Sequence, residues 1–290
     1  MPSEAASAPT GVIHDIGYQR YTGPRLGRWY AVRSLYVHSV RTAFGIGRTG
    51  KSKVFPWFVV GIAFAVALIA VAVRSQSKTV FISYLQFPDT ISVPVLLMLA
   101  IVAPELVSRE LRAHVLPLYF SRPLRRTDYA LAKFAALATA LWLVFAGPQL
   151  LMFLGGVFSV SNGLTGDWVE FTDFAVGVAY AAIAAVVYSA IGILVASLSG
   201  RRAVAAAAIV ATFLVTVPVV GVLEALGSET TQQIVPAINP VSLVEGVKVW
   251  VFQAHAFPIG DFGPAYLGIA CGVVAACTAL LLVRYRKVAA

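Results

Sequence analysis

Gly45, Gly50, Lys51 and Ser52 stand in the spacing of a phosphate-binding loop, GxxxxGKS, and Gly45, Gly47 and Gly50 also satisfy GxGxxG. In either motif, backbone N–H groups between a strand and a helix cradle phosphate, and the lysine reaches its oxygens. Here the context fails. Only about fifty residues precede the motif, an apolar stretch begins at Val54, and no second soluble segment supplies an acidic strand for magnesium. Residues 45–53 read instead as a flexible basic elbow touching anionic lipid head groups. Other chemistry is equally thin: there is no HExxH and no GxSxG. His14, His38, His114 and His255 are scattered, without the spacing of metal ligands on one helix. Cys271 and Cys277 are separated by about 240° of helical rotation, so neither a disulfide nor a shared metal site is expected.

Charge concentrates between Glu105 and Lys133, where Arg109, Arg112, Arg122, Arg125 and Arg126 fall between two apolar segments. Arg109 to Tyr119 has a helical pattern and ends at the breaker Arg122-Pro123. A helical piece too polar to span and too patterned for a slack loop predicts a docking element for a partner protein. Glu105 sits near the inner end of the second apolar segment. It reads as one half of an ion pair with Arg109 or Arg112, against a role in transport. Gln149, after Pro148 in mid-span, either lines a pathway or satisfies backbone freed by the proline.

These residues must be positioned by membrane spans. The chain of 290 residues is 59% hydrophobic and 12% charged, with mean hydropathy +0.83. Soluble domains are about half apolar and a quarter charged, so the reading is an all-α integral membrane protein. Six stretches have the length to cross, at 54–73, 91–108, 131–158, 174–198, 203–223 and 264–283. They divide the chain into an N-terminal region, 1–53, and a transmembrane domain, 54–290. With both termini cytoplasmic, nineteen of the 22 basic residues lie inside, leaving Arg74, Lys78 and Lys248 outside. The net charge of +9 therefore points to the membrane face and not to nucleic acid.

Residues before Gly11 lack the apolar core of a signal peptide, so the first span is expected to stay uncleaved; residues 1–10 read as a disordered tail. From Leu26 to Phe44, Leu26, Trp29, Tyr30, Val32, Tyr36, Val37, Val40, Ala43 and Phe44 share an arc of roughly 160°. Arg33 falls inside that arc and would snorkel. This predicts an amphipathic helix in the membrane interface; the alternative is a helix packed on a soluble partner. The connection 159–173 carries Asp167, Glu170 and Asp173, and 224–263 is broken by Pro236, Pro240 and Pro258. The latter is expected to dip part-way into the outer leaflet, shielded by protein. Gly177, Ala181, Ala185 and Ser189 form a small-residue stripe suited to internal packing or to a subunit interface.

At the basic hairpin, Glu110, Leu116, Pro123, Arg126, Asp128 and Lys133 fall on a pattern that resembles the permease subunits of type-2 ABC transporters. Ala113, His114 and Ala132 depart from it. The interfacial helix, the six spans and Ile238-Asn239-Pro240 agree with the same family. The resemblance implies a coupling helix between spans two and three, gripped by a separate ABC ATP-binding subunit that holds ATP and magnesium, with no cofactor in this chain. It assigns that contact to Arg109, Glu110, Arg112, His114, Val115, Leu116, Leu118, Tyr119, Arg122 and Arg126, with Gln149 and Glu105 as pathway candidates. It also implies a second permease copy or paralogue, alternating access, and no catalysis here. The apolar spans favour a hydrophobic or amphipathic cargo, and the family favours export. Arg-over-Lys, Ala-rich usage points to a GC-rich bacterial genome, and the expected location is the bacterial plasma membrane. The competing readings are a lipid-modifying membrane enzyme and a non-transporting scaffold or sensor.

Overall fold

The computed structural model describes residue 23 and residues 26–47, 50–113, 116–121, 124–159 and 163–288. The N-terminal tail with His14, and His114, Val115, Arg122 and Pro123 in the hairpin, lie outside them. The protein is almost entirely helical (85%), with no strand among the described residues. That follows from the solvent: backbone in lipid has no water to bond, and a helix satisfies its own N–H and C=O groups within one segment.

The helices in chain order are α1 (Arg28–Ala43), α2 (Gly50–Ser77), α3 (Phe87–Thr90), α4 (Ser92–Leu106), α5 (Ser108–Arg112), α6 (Leu116–Phe120), α7 (Arg126–Ser159) and α8 (Gly163–Leu198). They continue with α9 (Arg202–Leu214), α10 (Thr216–Leu226), α11 (Glu229–Ile234), α12 (Pro240–Phe252) and α13 (Gly263–Val288). Six of these units are long and apolar enough to cross a membrane: α2, α4 with α5, α7, α8, α9 with α10, and α13. The hairpin α5–α6, the turn 199–201 and the end of α13 share one end of the bundle, called here the basic end. The connection 78–91 and helices α11 and α12 share the opposite end.

The helix α8 is the central post. Two thirds of its apolar window is buried (67%), against 17% for the last span. Ala181, Ala185 and Ser189 are buried with Gly177 inside the protomer, so the small-residue stripe serves internal packing. A side chain at Gly177 would collide with Tyr84 and Gln149. Between helices in lipid, close approach and polar fasteners replace the hydrophobic effect as the cohesive term.

Residues 159–173, expected as a connection, are helical from Gly163 onward. The reason is Glu170, which takes a two-pronged bond from Arg74 at the end of α2 (2.5 and 2.6 Å) and also accepts from the Tyr84 hydroxyl. Burial, followed by that hydrogen bond, pushes the Tyr84 phenol well up.

The buried face of α1 is offset from the expected apolar arc and is centred on Leu35 and Ser39, which that arc left out. Leu35, Ser39 and Ala43 are buried, with Val32 and Tyr36 partly so, and Tyr36 bonds Thr139 of α7 at 2.9 Å. Leu26, Trp29, Tyr30 and Val37 stay exposed on the other side. One face grips the bundle and the second remains apolar outside it.

The connection 224–263 folds into α11, a 3-10 turn (Val235–Ile238) and α12, and the two helical segments meet at 117°. Lodged against α8 and α13, α12 buries Leu243, Val244, Gly246 and Val247. Asn239 makes the bend possible. Its Oδ1 accepts from the N–H groups of Val241 (2.8 Å) and Ser242 (3.3 Å), capping α12. Its Nδ2 donates to the Phe213 carbonyl (3.3 Å) and Thr216 Oγ1 (3.0 Å), at the break between α9 and α10.

Candidate functional site: the hairpin between the second and third spans

The second span breaks at Val107, whose backbone leaves the helical region (φ −124°, ψ −57°). Ser108 marks the turn, its Oγ donating to the Ala196 carbonyl at the end of α8 (2.7 Å). The expected single run Arg109 to Tyr119 is thus two short helices, α5 and α6. The second ends at Phe120, and α7 begins at Arg126.

The inward side of α5 carries Glu110. Its Oε1 accepts from Lys133 Nζ at 2.7 Å, and its Oε2 accepts from the Tyr129 hydroxyl. Lys133 is buried (2% side-chain exposure) one turn beyond Tyr129, and its ammonium lies 5.5 Å from the Tyr129 ring centroid. That ring packs against Tyr119 of α6 (5.7 Å) and Tyr285 of α13 (5.1 Å). Acid, base and three phenols from four helices thus form one knot beneath the hairpin.

Asp128 does the same work one turn earlier. It takes both Arg28 Nε and Nη2 at 2.6 Å, joining α1 to α7, and accepts from the Arg125 N–H (3.2 Å) at the head of α7. The carboxylate hydrogen bond holds the Arg28 guanidinium above its ordinary value. Arg126 reaches α13, where Nη1 donates to the Arg286 carbonyl at 2.8 Å. Arg284 likewise donates to the Ser197 carbonyl (2.6 Å).

Glu105, expected to pair with Arg109 or Arg112, is reached by Arg202 at the start of α9. The break at Val107 interrupts the helical register that sequence spacing assumed and leaves that flank open to the fifth span. Gln149 is fully buried (0%), and its amide has no hydrogen-bond partner among the described residues. It does not satisfy backbone freed by Pro148.

Of the residues singled out in the sequence, Glu110 and Arg126 turn inward or back onto the bundle. Arg109, Arg112 and Leu118 are exposed, Leu118 at 69%, and Tyr119 is half-buried in the knot. The backbone of Leu116 opens α6, whereas His114, Val115 and Arg122 lie outside the described residues. Sequence reasoning gave no role to Arg28 or Tyr285, because each stands among cations near a helix end and nothing local sets it apart.

A hairpin fastened this way, on six apolar helices with a sharply bent helix pair at the far end, defines a multi-pass membrane protein. The family model for an ABC-2 family transporter protein matches residues 71–289, from the end of the first span to the last helix. The chain belongs to the ABC-2 transporter family. No curated protein matches it.

Proposed function

We propose that the chain is the membrane half of an ATP-driven exporter. Two copies, or this chain and a paralogue, enclose a pathway. Two separate ATP-binding subunits beneath them hold ATP and magnesium. Residues 54–290 form the transmembrane domain and 1–53 the cytoplasmic region with the interfacial helix. The basic end and both termini face the cytoplasm of a bacterial cell.

The observation that carries this reading is the hairpin. Its legs are spans two and three themselves, its base is tied through Glu110 and Lys133, and its tip presents Leu118 to the outside. A partner pressing on that tip displaces two spans at once. The contact falls to the exposed Leu118, with His114, Val115, Leu116, Tyr119 and Arg122 assigned to it by the family pattern, whereas Glu110 and Arg126 keep the hairpin in shape. The apolar windows of the last and fifth spans are only 17% and 22% buried, which leaves faces for a second permease and for lipid. Apolar faces favour a hydrophobic or amphipathic cargo, moved by alternating access. Neither Glu105, paired with Arg202, nor the enclosed Gln149 is needed to line that route.

Leu118→Glu tests the proposal. An exposed substitution costs less than about 0.5 kcal/mol, so insertion and melting stay at wild-type values. Recovery of an ATP-binding subunit in a pull-down from native membranes is expected to fall, and ATP-dependent export with it. Wild-type recovery together with wild-type export refutes the reading.

A further inference from the structure

At the basic end, spans two and five bound an open cavity of about 490 Å³, lined by Arg109, Arg112, Ala113 and Arg202. The turn between α8 and α9 lies against α5, close enough that a Cβ at Gly200 would be in ordinary van der Waals contact with Arg112, 3.9 Å from its Cβ. Three guanidiniums therefore share one cavity. One carboxylate, Glu105, answers Arg202. Arg109 and Arg112 make no side-chain hydrogen bond or ion pair among the described residues. The first turn of α9 opens on Arg202 with no acidic residue and no side-chain cap, so the positive end of that helix adds to the same field. Just beyond, Leu198 and Val204 are exposed and apolar (61% and 52%). The cavity thus lies where the spans pass from hydrocarbon to water.

We propose that this cavity binds a phosphate group, carried at that depth by the head group of an anionic membrane lipid. A guanidinium presents two parallel N–H donors matched to phosphate oxygens, which an ammonium cannot do. With Glu105 neutralising one of three cations, the site retains two positive charges for a phosphodiester. The acyl chains of such a lipid continue along the apolar flank of Leu198 and Val204. This site stands on the geometry of spans two and five and does not depend on an ATP-binding partner.

The test uses the full chain in phosphatidylcholine nanodiscs doped with phosphatidylglycerol, counting retained lipid by native mass spectrometry after extraction. Arg109→Gln with Arg112→Gln is expected to lower retained phosphatidylglycerol by at least about tenfold, the equivalent of roughly 1.4 kcal/mol. Arg125→Gln, an exposed arginine outside the cavity, leaves retention unchanged. Arg109→Lys with Arg112→Lys keeps the charge, loses the fork and gives an intermediate value. Both arginines are exposed and unpaired among the described residues, so melting temperature stays constant and folding does not confound the result. Displacement of the lipid by inorganic phosphate supports the phosphate chemistry and assigns the site to the free anion. Full retention in the double glutamine variant, or equal loss in Arg125→Gln, overturns the proposal. So does a double variant that keeps its lipid but no longer recovers an ATP-binding subunit, because the arginines then serve a protein partner.

Discussion

Replacing Lys133 by methionine keeps the bulk of the side chain and deletes its charge. The ammonium has 2% exposure and sits 2.7 Å from Glu110 Oε1, while Glu110 itself has 16% exposure. The substitution leaves a buried carboxylate facing the Tyr129 hydroxyl without the cation beside it. Removing one partner of a buried pair costs about 3–5 kcal/mol, because the remaining charge keeps its desolvation penalty. In chains of roughly 150–250 residues each kcal/mol is worth about 2–4 °C, so the unfolding midpoint falls by on the order of 10 °C. Glu110→Gln strands the ammonium instead and falls by a similar amount. In the double variant neither charge remains, and a neutral replacement of the pair is expected to recover most of the loss. The assay is thermal unfolding of all four proteins in one lipid nanodisc, followed by circular dichroism at constant pH. Single variants within about 2 °C of wild type, or a double variant equal to the sum of the singles, would mean that Glu110 and Lys133 do not hold the hairpin together.

Asn239→Ala removes a helix cap worth about 0.5–2 kcal/mol and two donors to the α9–α10 break worth about 1 kcal/mol each. Asn239→Ser keeps a neutral cap oxygen and loses the amide donors, so its midpoint is expected between alanine and wild type; equal midpoints for the two variants contradict the double role. Lys248→Met deletes the base that meets Asp89 and lies 3.7 Å from Glu245. Burial pushes the Asp89 carboxyl up, with Lys248 and then Tyr180 pulling it down. Without Lys248 the folded carboxyl rises further above its unfolded value and holds its proton more tightly than the unfolded chain does. Stability is then present at low pH and lost as pH rises through the folded value. The variant is expected to be less destabilised at about pH 5 than at about pH 8, measured by chemical denaturation in micelles. A penalty equal at both pH values rules this account out.

Span number and the position of the hairpin were legible because both are local. Twenty apolar residues must be satisfied somewhere, and a basic stretch with Pro123 between two such runs has one place to go. The apolar arc of α1 was legible as a pattern but not as a contact. A period of 3.6 marks residues that avoid water, and in a membrane protein lipid and protein answer that need equally. Hence Ala43 faces the bundle while Trp29 and Tyr30 of the same arc face outward. The ion pairs were illegible for another reason. Arg28 and Asp128 are 100 positions apart, Glu105 and Arg202 are 97, and Asp89 and Lys248 are 159. Sequence reasoning says that an acid in an apolar chain needs a cation, but only the helix order says which one. Glu110 and Lys133 both belonged to the family pattern. That they touch each other, and not a partner, required the fold.

Once the pairs are drawn, the asymmetry of charge sharpens. At the opposite end Arg74 is taken by Glu170 and Lys248 by Asp89, so two of the three bases counted there bring a carboxylate with them. At the basic end the acids are spent differently: Asp128 fastens α1, Glu110 fastens α7, and Glu105 fastens α9, while Arg126 reaches α13 through a carbonyl. Arg109 and Arg112 are left over, and the end stays strongly positive, which is the charge bias that the proposed cytoplasmic orientation calls for. The same fasteners decide how a load at Leu118 would travel. A hairpin free at its base would fold on itself, whereas one tied to α1, α7, α9 and α13 passes displacement to all four, most firmly through the buried Lys133–Glu110 pair, which breaks only at the cost of an uncompensated charge.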